Sequence, residues 1–271
     1  MTSPQTRASI EPPSLATMFG RQLDYWWTVY RRTWKGSAVL SFVQPWLYVA
    51  AMGLLLGDYI DDSGSALGGA PSYLDFIAPG LLAATAMQVG TSEVMWPVMG
   101  AIKWDRTYFA MIATPLRVRD IIAGHLGYGI FRVTLASLAF AAVLAMIGIF
   151  GSVLGFLAAL LSAILLGAAM LAPVYAFSAG LKSEQGFALL YRLGVMPMFL
   201  FSGAFFPISN LSEPLEWLAR LTPLWHGVEL CRMSSLETWG PMAFVHIGYL
   251  LALAAFGTWW AGRRLTPRLV A

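Results

Sequence analysis

The sequence predicts an all-α membrane protein: six transmembrane helices, an N-terminal amphipathic interface helix, and re-entrant external helices before the last span. Composition is the first observation behind this. The 271-residue chain is 58% hydrophobic and 11% charged, where a soluble domain carries about 25% charged residues. The second is that charge is missing in blocks. There is none between Lys35 and Asp58, only Glu93 between Asp75 and Lys103, and only Arg132 between Asp120 and Lys182. There is none between Arg192 and Glu213, and none between Glu237 and Arg263. A helix crosses a bilayer in roughly 20 apolar residues. Each gap therefore holds one span, and the gap after Asp120 holds two. The third observation is that the remaining Lys and Arg sort to one side of those spans.

Residues 1–13 are Ser/Pro-rich and read as a disordered tail. They lack the short apolar core and small-residue cleavage site of a signal peptide. In 14–35, Leu15, Phe19, Leu23, Trp26, Tyr30 and Trp34 recur at steps of three or four, and Arg21, Asp24, Thr28, Arg31 and Lys35 share the other face. That pattern is an amphipathic helix lying on the cytoplasmic leaflet. It either anchors the first span or also offers its polar face to a cytoplasmic partner, and the two roles are compatible.

The transmembrane domain is placed at 36–262, with spans near 36–57, 75–100, 120–149, 152–180, 187–206 and 241–262. The tight hairpin between the third and fourth falls at Gly148, Gly151 and Ser152. Lys and Arg in short loops mark the cytoplasmic side. One side holds Arg7, Arg21, Arg31, Arg32, Lys35, Lys103, Arg106, Arg117, Arg119, Lys182, Arg263, Arg264 and Arg268. The other holds Asp58, Asp61, Asp62 and Asp75, with Arg220 and Arg232 its only cations. Both termini, including the tail 263–271, are expected in the cytoplasm. A net charge of +3 is too small to point to nucleic acid, and a single cysteine, Cys231, excludes an internal disulfide.

The cytoplasmic loop 101–119 reads AIKWDRTYFAMIATPLRVR. Its cations serve the positive-inside pattern. Its Trp104-Asp105-Arg106-Thr107-Tyr108-Phe109 run is better suited to a short helix docking in a partner's groove. Thr114-Pro115 breaks the helix before the third span. The external segment 207–240 is too polar to span, with Glu213, Glu216, Arg220 and Glu229. Pro214, Pro223 and Gly227 divide it into short helices that dip into the outer leaflet, and Asn210 is positioned to cap the first. His226 and His246 read as packed or interfacial groups, since no His-x-x-x-His spacing is present to bind a metal.

Glu93 lies ten residues before Lys103, and Arg132 twelve after Asp120. At 1.5 Å per residue both sit roughly 15–18 Å from the cytoplasmic ends of consecutive helices. Lone charges at that depth cost several kcal/mol and should pair. An ion pair between Glu93 and Arg132 is therefore expected, either to fix helix register or to serve a gate. Gln44, Tyr48, Thr85, Gln88, Tyr175 and Ser178 are the other polar groups in the spans. They either line a cavity or bond between helices.

The three lysines follow Trp34, Ile102 and Leu181, so no Gly-Lys-Ser/Thr phosphate loop exists. There is no His-Glu-x-x-His and no Gly-x-Ser-x-Gly elbow. The chain is not expected to be an enzyme.

In order along the chain come YRRTWKGSAVLSFVQPWLYVAAMGLLLG, YLDFIAPGLLAATAM, KWDRTYFAMIATPLRVRD and FLFSGAFFPISNLSEPLEWLARLTPLWHGVELCR. Together they resemble the permease subunit of type-2 ABC exporters, in the branch of NodJ-like lipo-oligosaccharide exporters and daunorubicin-resistance permeases. The likeness covers the chain after about residue 15. It implies two permeases per exporter, identical or sister subunits, and two copies of a separate cytoplasmic ATPase that binds ATP and Mg. This chain itself would hold no cofactor and no metal. Lys103, Trp104, Asp105, Arg106, Thr107, Tyr108 and Phe109 would form the coupling helix in the ATPase groove. Gln44, Tyr48, Gln88, Phe201 and Phe205 would line the substrate path between permeases. The substrate implied is a lipid-linked oligosaccharide, a glycolipid or a drug-like amphipath, exported across a bacterial cytoplasmic membrane. The rival readings are an ion-coupled secondary transporter, a membrane-embedded lipid-modifying enzyme, and a membrane anchor without transport.

Overall fold

Every regular element among the described residues is helical. The computed structural model describes residues 15–54, 67 and 69–270. The expected tail 1–13 and the acidic residues Asp58, Asp61 and Asp62 lie outside the described residues, as do the side chains of Leu15, Phe19 and Leu23. In chain order the elements are α1 (Leu15–Tyr48), a π-helical turn (Val49–Leu54), α2 (Tyr73–Lys103), α3 (Thr107–Ile112), α4 (Val118–Met146) and α5 (Val153–Gly180). Then follow α6 (Gln185–Phe201), α7 (Glu213–Arg220), α8 (Pro223–Ser235) and α9 (Met242–Leu269).

Two expected boundaries are corrected. The interface helix 14–35 and the first span are one continuous helix, α1. Nothing at Lys35-Gly36 interrupts it, since a single glycine costs a helix only about 1 kcal/mol. The expected tail 263–271 is largely the end of α9, where Arg268 Nη1 donates to the Ala179 carbonyl at 2.9 Å. Asn210 does not cap α7. It sits in a 3-10 turn, and Ser212 takes the N-cap position.

α6 changes register inside, at Leu190–Val195. Pro197 has no N–H for the Leu193 carbonyl, and just before it the Met196 N–H reaches back five residues to Tyr191 O. The hairpin at 147–152 follows its sequence. Gly148 adopts a left-handed φ of 83°, and Ser152 Oγ caps α5 by accepting from Gly155 N–H at 3.0 Å.

α4, α5 and α9 are each long and apolar enough to cross a membrane. Their outer faces carry large apolar groups, with Val153 76% and Phe244 79% exposed. An apolar outer surface of this kind is rare on soluble monomers and fits a lipid environment. α5 is the central helix, packing against α2, α4, α8 and α9. Small residues permit this. A Cβ on Gly90 of α2 would lie 2.7 Å from the Gly167 carbonyl of α5, so the two backbones touch directly. Gly90→Val is therefore expected to overpack this crossing, at about 1–3 kcal/mol. The check is the melting temperature of the purified protein in detergent. An unchanged melt would mean that the helices do not meet there.

Candidate functional site

The loop 101–119 is built from a tight reversal. The N–H groups of Trp104 and Asp105 both donate to Gly100 O, at 3.0 and 2.9 Å, closing α2. Arg106 then takes a left-handed φ of 52° and α3 begins. For a residue with a Cβ that conformation costs roughly 1–2 kcal/mol. After α3, Thr114 Oγ1 donates to Met111 O at 2.6 Å, and Arg117 N–H donates to Asp120 Oδ2 at 2.9 Å to open α4.

The residues expected to dock divide into two sets. Trp104, Asp105, Arg106 and Phe109 are exposed, and Thr107 is half-buried. Lys103 is exposed but reaches Glu184 Oε1 at 3.1 Å, an open pair worth little to stability. Trp104 stacks on Trp96 at 6.3 Å between ring centres. A cleft of about 390 Å³ opens between these residues and Tyr25 of α1. Tyr108 is the correction: it is 1% exposed and points into the bundle. Its hydroxyl is directed at α4 and α5, while the residue still lines the cleft beside Trp104, Asp105 and Thr107.

Tyr108 heads a buried chain of hydrogen bonds. Tyr175 of α5 donates to the Tyr108 oxygen at 3.0 Å. The Tyr108 hydroxyl meets His125 Nδ1 on α4. His125 Nε2 lies 3.0 Å from the Glu93 carbonyl on α2. That carbonyl is open because residue 97, which would normally donate to it, is proline. A carbonyl only accepts, so Nε2 carries the hydrogen and Nδ1 accepts from Tyr108. Each donor in the chain then has an acceptor. Burial, and next the nearness of Tyr175, holds the Tyr108 phenol well above the ordinary tyrosine pKa, so it stays a donor. Trp26 of α1 closes the other side, stacked on Tyr128 at 4.5 Å and tilted against His125 at 4.4 Å.

The side chain of the same Glu93 holds Arg132. Nε lies 2.9 Å from Oε1, with the two side chains 15% and 17% exposed. The guanidinium also sits 5.7 Å above the Tyr30 ring, so α1 covers the pair.

Two of the five expected path residues converge. Gln44 and Gln88 line one cavity of about 290 Å³ with Thr91, Ser92 and Tyr191. Tyr48 packs against the core and is not among that cavity's lining residues. Phe201 lines a separate cavity of about 150 Å³, with Leu215 and Leu218 of α7. Phe205 packs edge-to-face on Phe199 at 4.9 Å, and its carbonyl accepts from the Tyr73 hydroxyl at 3.3 Å. Glu93 and Arg132 line neither cavity.

Arg232, read in the sequence as an external loop cation, is buried. Its Nη1 bonds Glu229 at 2.8 Å, its Nη2 bonds Gly203 O at 2.8 Å, and its guanidinium lies 4.0 Å over the Phe76 ring. His226 and His246 meet Nδ1 to Nδ1 at 2.7 Å. Among the described residues no three His, Cys, Asp or Glu side chains gather as metal ligands. Reading the sequence missed His125 and Tyr175 as partners of Tyr108. The signal available was Pro97, four residues after Glu93, which leaves a carbonyl in need of a donor.

Residues 19–236 match the family model for the ABC-2 type transporter. The chain belongs to that family. Nodulation protein J of Rhizobium leguminosarum bv. trifolii is 31% identical over 226 residues, spanning 81% of this chain and 84% of its own. Nodulation protein J of Rhizobium meliloti (strain 1021) is 28% identical over 255 residues, spanning 89% and 94%. The inner membrane transport permease YadH of Escherichia coli (strain K12) is 26% identical over 202 residues, spanning 72% and 73%. In this ABC-2 permease, the loop 101–119 combines exposed charged residues with the buried bonds of Tyr108, His125 and Tyr175.

Proposed function

We propose that this permease is the membrane subunit of an ATP-driven exporter in a bacterial cytoplasmic membrane. Its six spans are α1, α2, α4, α5, α6 and α9, with both termini in the cytoplasm. It pairs with a second permease, identical or a sister, and two cytoplasmic ATPase subunits supply ATP and Mg. The coupling helix α3 and the preceding Lys103–Arg106 turn take the push of the ATPases, and rigid-body tilting opens the permease interface outward. The cargo is an amphipath: a lipid-linked oligosaccharide, a glycolipid or a drug-like molecule. It passes the cavity of Gln44 and Gln88, whose amides offer donors and acceptors to a polar head beside apolar walls.

The observation that carries this proposal is the outward set Trp104, Asp105, Arg106 and Phe109 on a short reversal at the end of a long helix. Aromatic and charged groups side by side on so small a surface fit a protein groove. Against an ion-coupled mechanism, Glu93 is already taken up by Arg132.

The test is Asp105→Ala with Arg106→Gly. Glycine removes the guanidinium and relieves the left-handed φ of 52°, so strain cannot explain a loss. ATPase chains are expected to co-purify with the wild type. In the variant, transport per ATP is expected to fall at least about tenfold, since a 1 Å misplacement can cost two orders of magnitude. Full transport in the variant would refute the assignment of this loop.

A further inference from the structure

We propose that Tyr108, His125 and Tyr175 form a latch that ties the coupling helix to α2 at its proline break, so that movement of the docking loop is delivered to α2 at Glu93–Pro97. This rests on the permease role proposed above and adds the route by which the loop's motion enters the spans.

The case is geometric. α3 has only six residues, too few to hold its place by its own helical bonds. Its anchor is Tyr108, whose ring is enclosed and whose hydroxyl bonds to α4 and α5. The link then leaves α4 through His125 Nε2 and ends on a backbone carbonyl of α2. A helix carbonyl is normally satisfied within its own helix and offers no attachment point. Pro97 creates one, at a position where helices bend. A pull on Tyr108 thus meets α2 at the second of its two internal prolines, where a backbone hydrogen bond is missing. The Glu93 side chain extends the connection to Arg132, and Arg132 lies under the Tyr30 ring of α1. One loop is in this way connected to α1, α2, α4 and α5. Tyr108, His125 and Tyr175 are positioning residues, since none of them lines the cavity of Gln44 and Gln88.

A purely structural role and a latch make opposite predictions for Pro97→Ala. Alanine returns an N–H to the Glu93 carbonyl, which then competes with His125 Nε2 for that acceptor. If the chain only stabilises the fold, this variant is as stable as wild type or more so, and works normally. If the chain is a latch, the variant is stable but disconnected. Tyr108→Phe reads the same link from the other end, keeping the ring and deleting the hydroxyl.

The experiment uses the full exporter, purified with its ATPase in lipid nanodiscs. Amide hydrogen exchange is followed with and without ATP plus orthovanadate. In wild type, trapping is expected to change exchange in both the loop 103–112 and the α2 segment 88–100. In Tyr108→Phe and Pro97→Ala, the loop should still respond, while the response of 88–100 falls at least threefold. An undiminished α2 response in either purified variant overturns the latch alone. Absence of a co-purifying ATPase, or a loop that ignores trapping in wild type, overturns the permease role and the latch with it.

Discussion

Arg132→Ala is expected to cost about 3–5 kcal/mol of stability, the range for stripping a buried ion of its partner. The variant strands Glu93, whose carboxylate is 17% exposed and meets Arg132 Nε at 2.9 Å. It also removes the cation above the Tyr30 ring. Glu93→Ala should cost a similar amount, since it leaves a guanidinium in an apolar setting. The pair Glu93→Gln with Arg132→Met should recover most of the loss, because both charges leave together. The exchange Glu93→Arg with Arg132→Glu should recover part of it. Melting temperature and membrane abundance are the measurements. Single variants as stable as wild type would show that water reaches the pair. The neutral double variant also separates register from gating: full transport makes the pair a structural pin, whereas a stable but inactive protein gives it a part in the transport cycle.

Arg232→Met is expected to be the most damaging single change outside the spans, also at about 3–5 kcal/mol. Arg232 is 8% exposed and its guanidinium joins three parts of the chain. It pairs with Glu229 on its own helix, donates to Gly203 O in the turn after α6, and lies on the Phe76 ring of α2. Methionine fills the volume and stacks on Phe76 but donates nothing. The Gly203 carbonyl and the Glu229 carboxylate lose their partner, and an unmet buried polar group costs about 1–3 kcal/mol or more if charged. Without Arg232 the turn at Gly203, whose φ is 82°, is left to the Tyr73–Phe205 hydrogen bond and to packing. Arg232→Lys should rescue only part of the loss, because an ammonium lacks the planar fork. The check is protease sensitivity of the 203–212 segment together with melting. A variant that resists cleavage and melts like wild type would show that the turn is held by packing alone.

The helical segments were legible because charge avoidance at the scale of a bilayer leaves a coarse signal that needs no partner information. The helices at 118–146 and 153–180 follow from it, as does the last helix up to residue 262, although that helix continues to Leu269. Breaks at Gly148 and at Thr114-Pro115 follow from local backbone chemistry. Continuity was not legible. Lys35-Gly36 looks like a boundary by composition, yet nothing in it breaks a helix. Composition also misplaced Arg232. In sequence it is one cation in a polar loop, and only the folding of that loop back onto α2 buries it.

Candidate sites divide along the same line. The loop 101–119 was visible as a local mixture of charged and aromatic residues, but which of its rings faces outward was not. Tyr108 and Phe109 are neighbours on a helix, so they point about 100° apart; one is buried and the other exposed. Long-range partnerships, such as Tyr108 with His125 and Tyr175, depend on how α4 and α5 cross, and no local pattern encodes that.

By itself, then, the sequence determined the membrane class, the positions of most helices, the loop at which they reverse, and the pairing of Glu93 with Arg132. Those follow from transfer energies and backbone sterics, which act residue by residue. The tertiary structure alone decided which polar groups meet: Arg232 with Gly203, and Tyr108 with both His125 and Tyr175. Hydrogen bonds work over about 3 Å, and only the packing of helices around α5 brings groups so far apart in the chain within that distance.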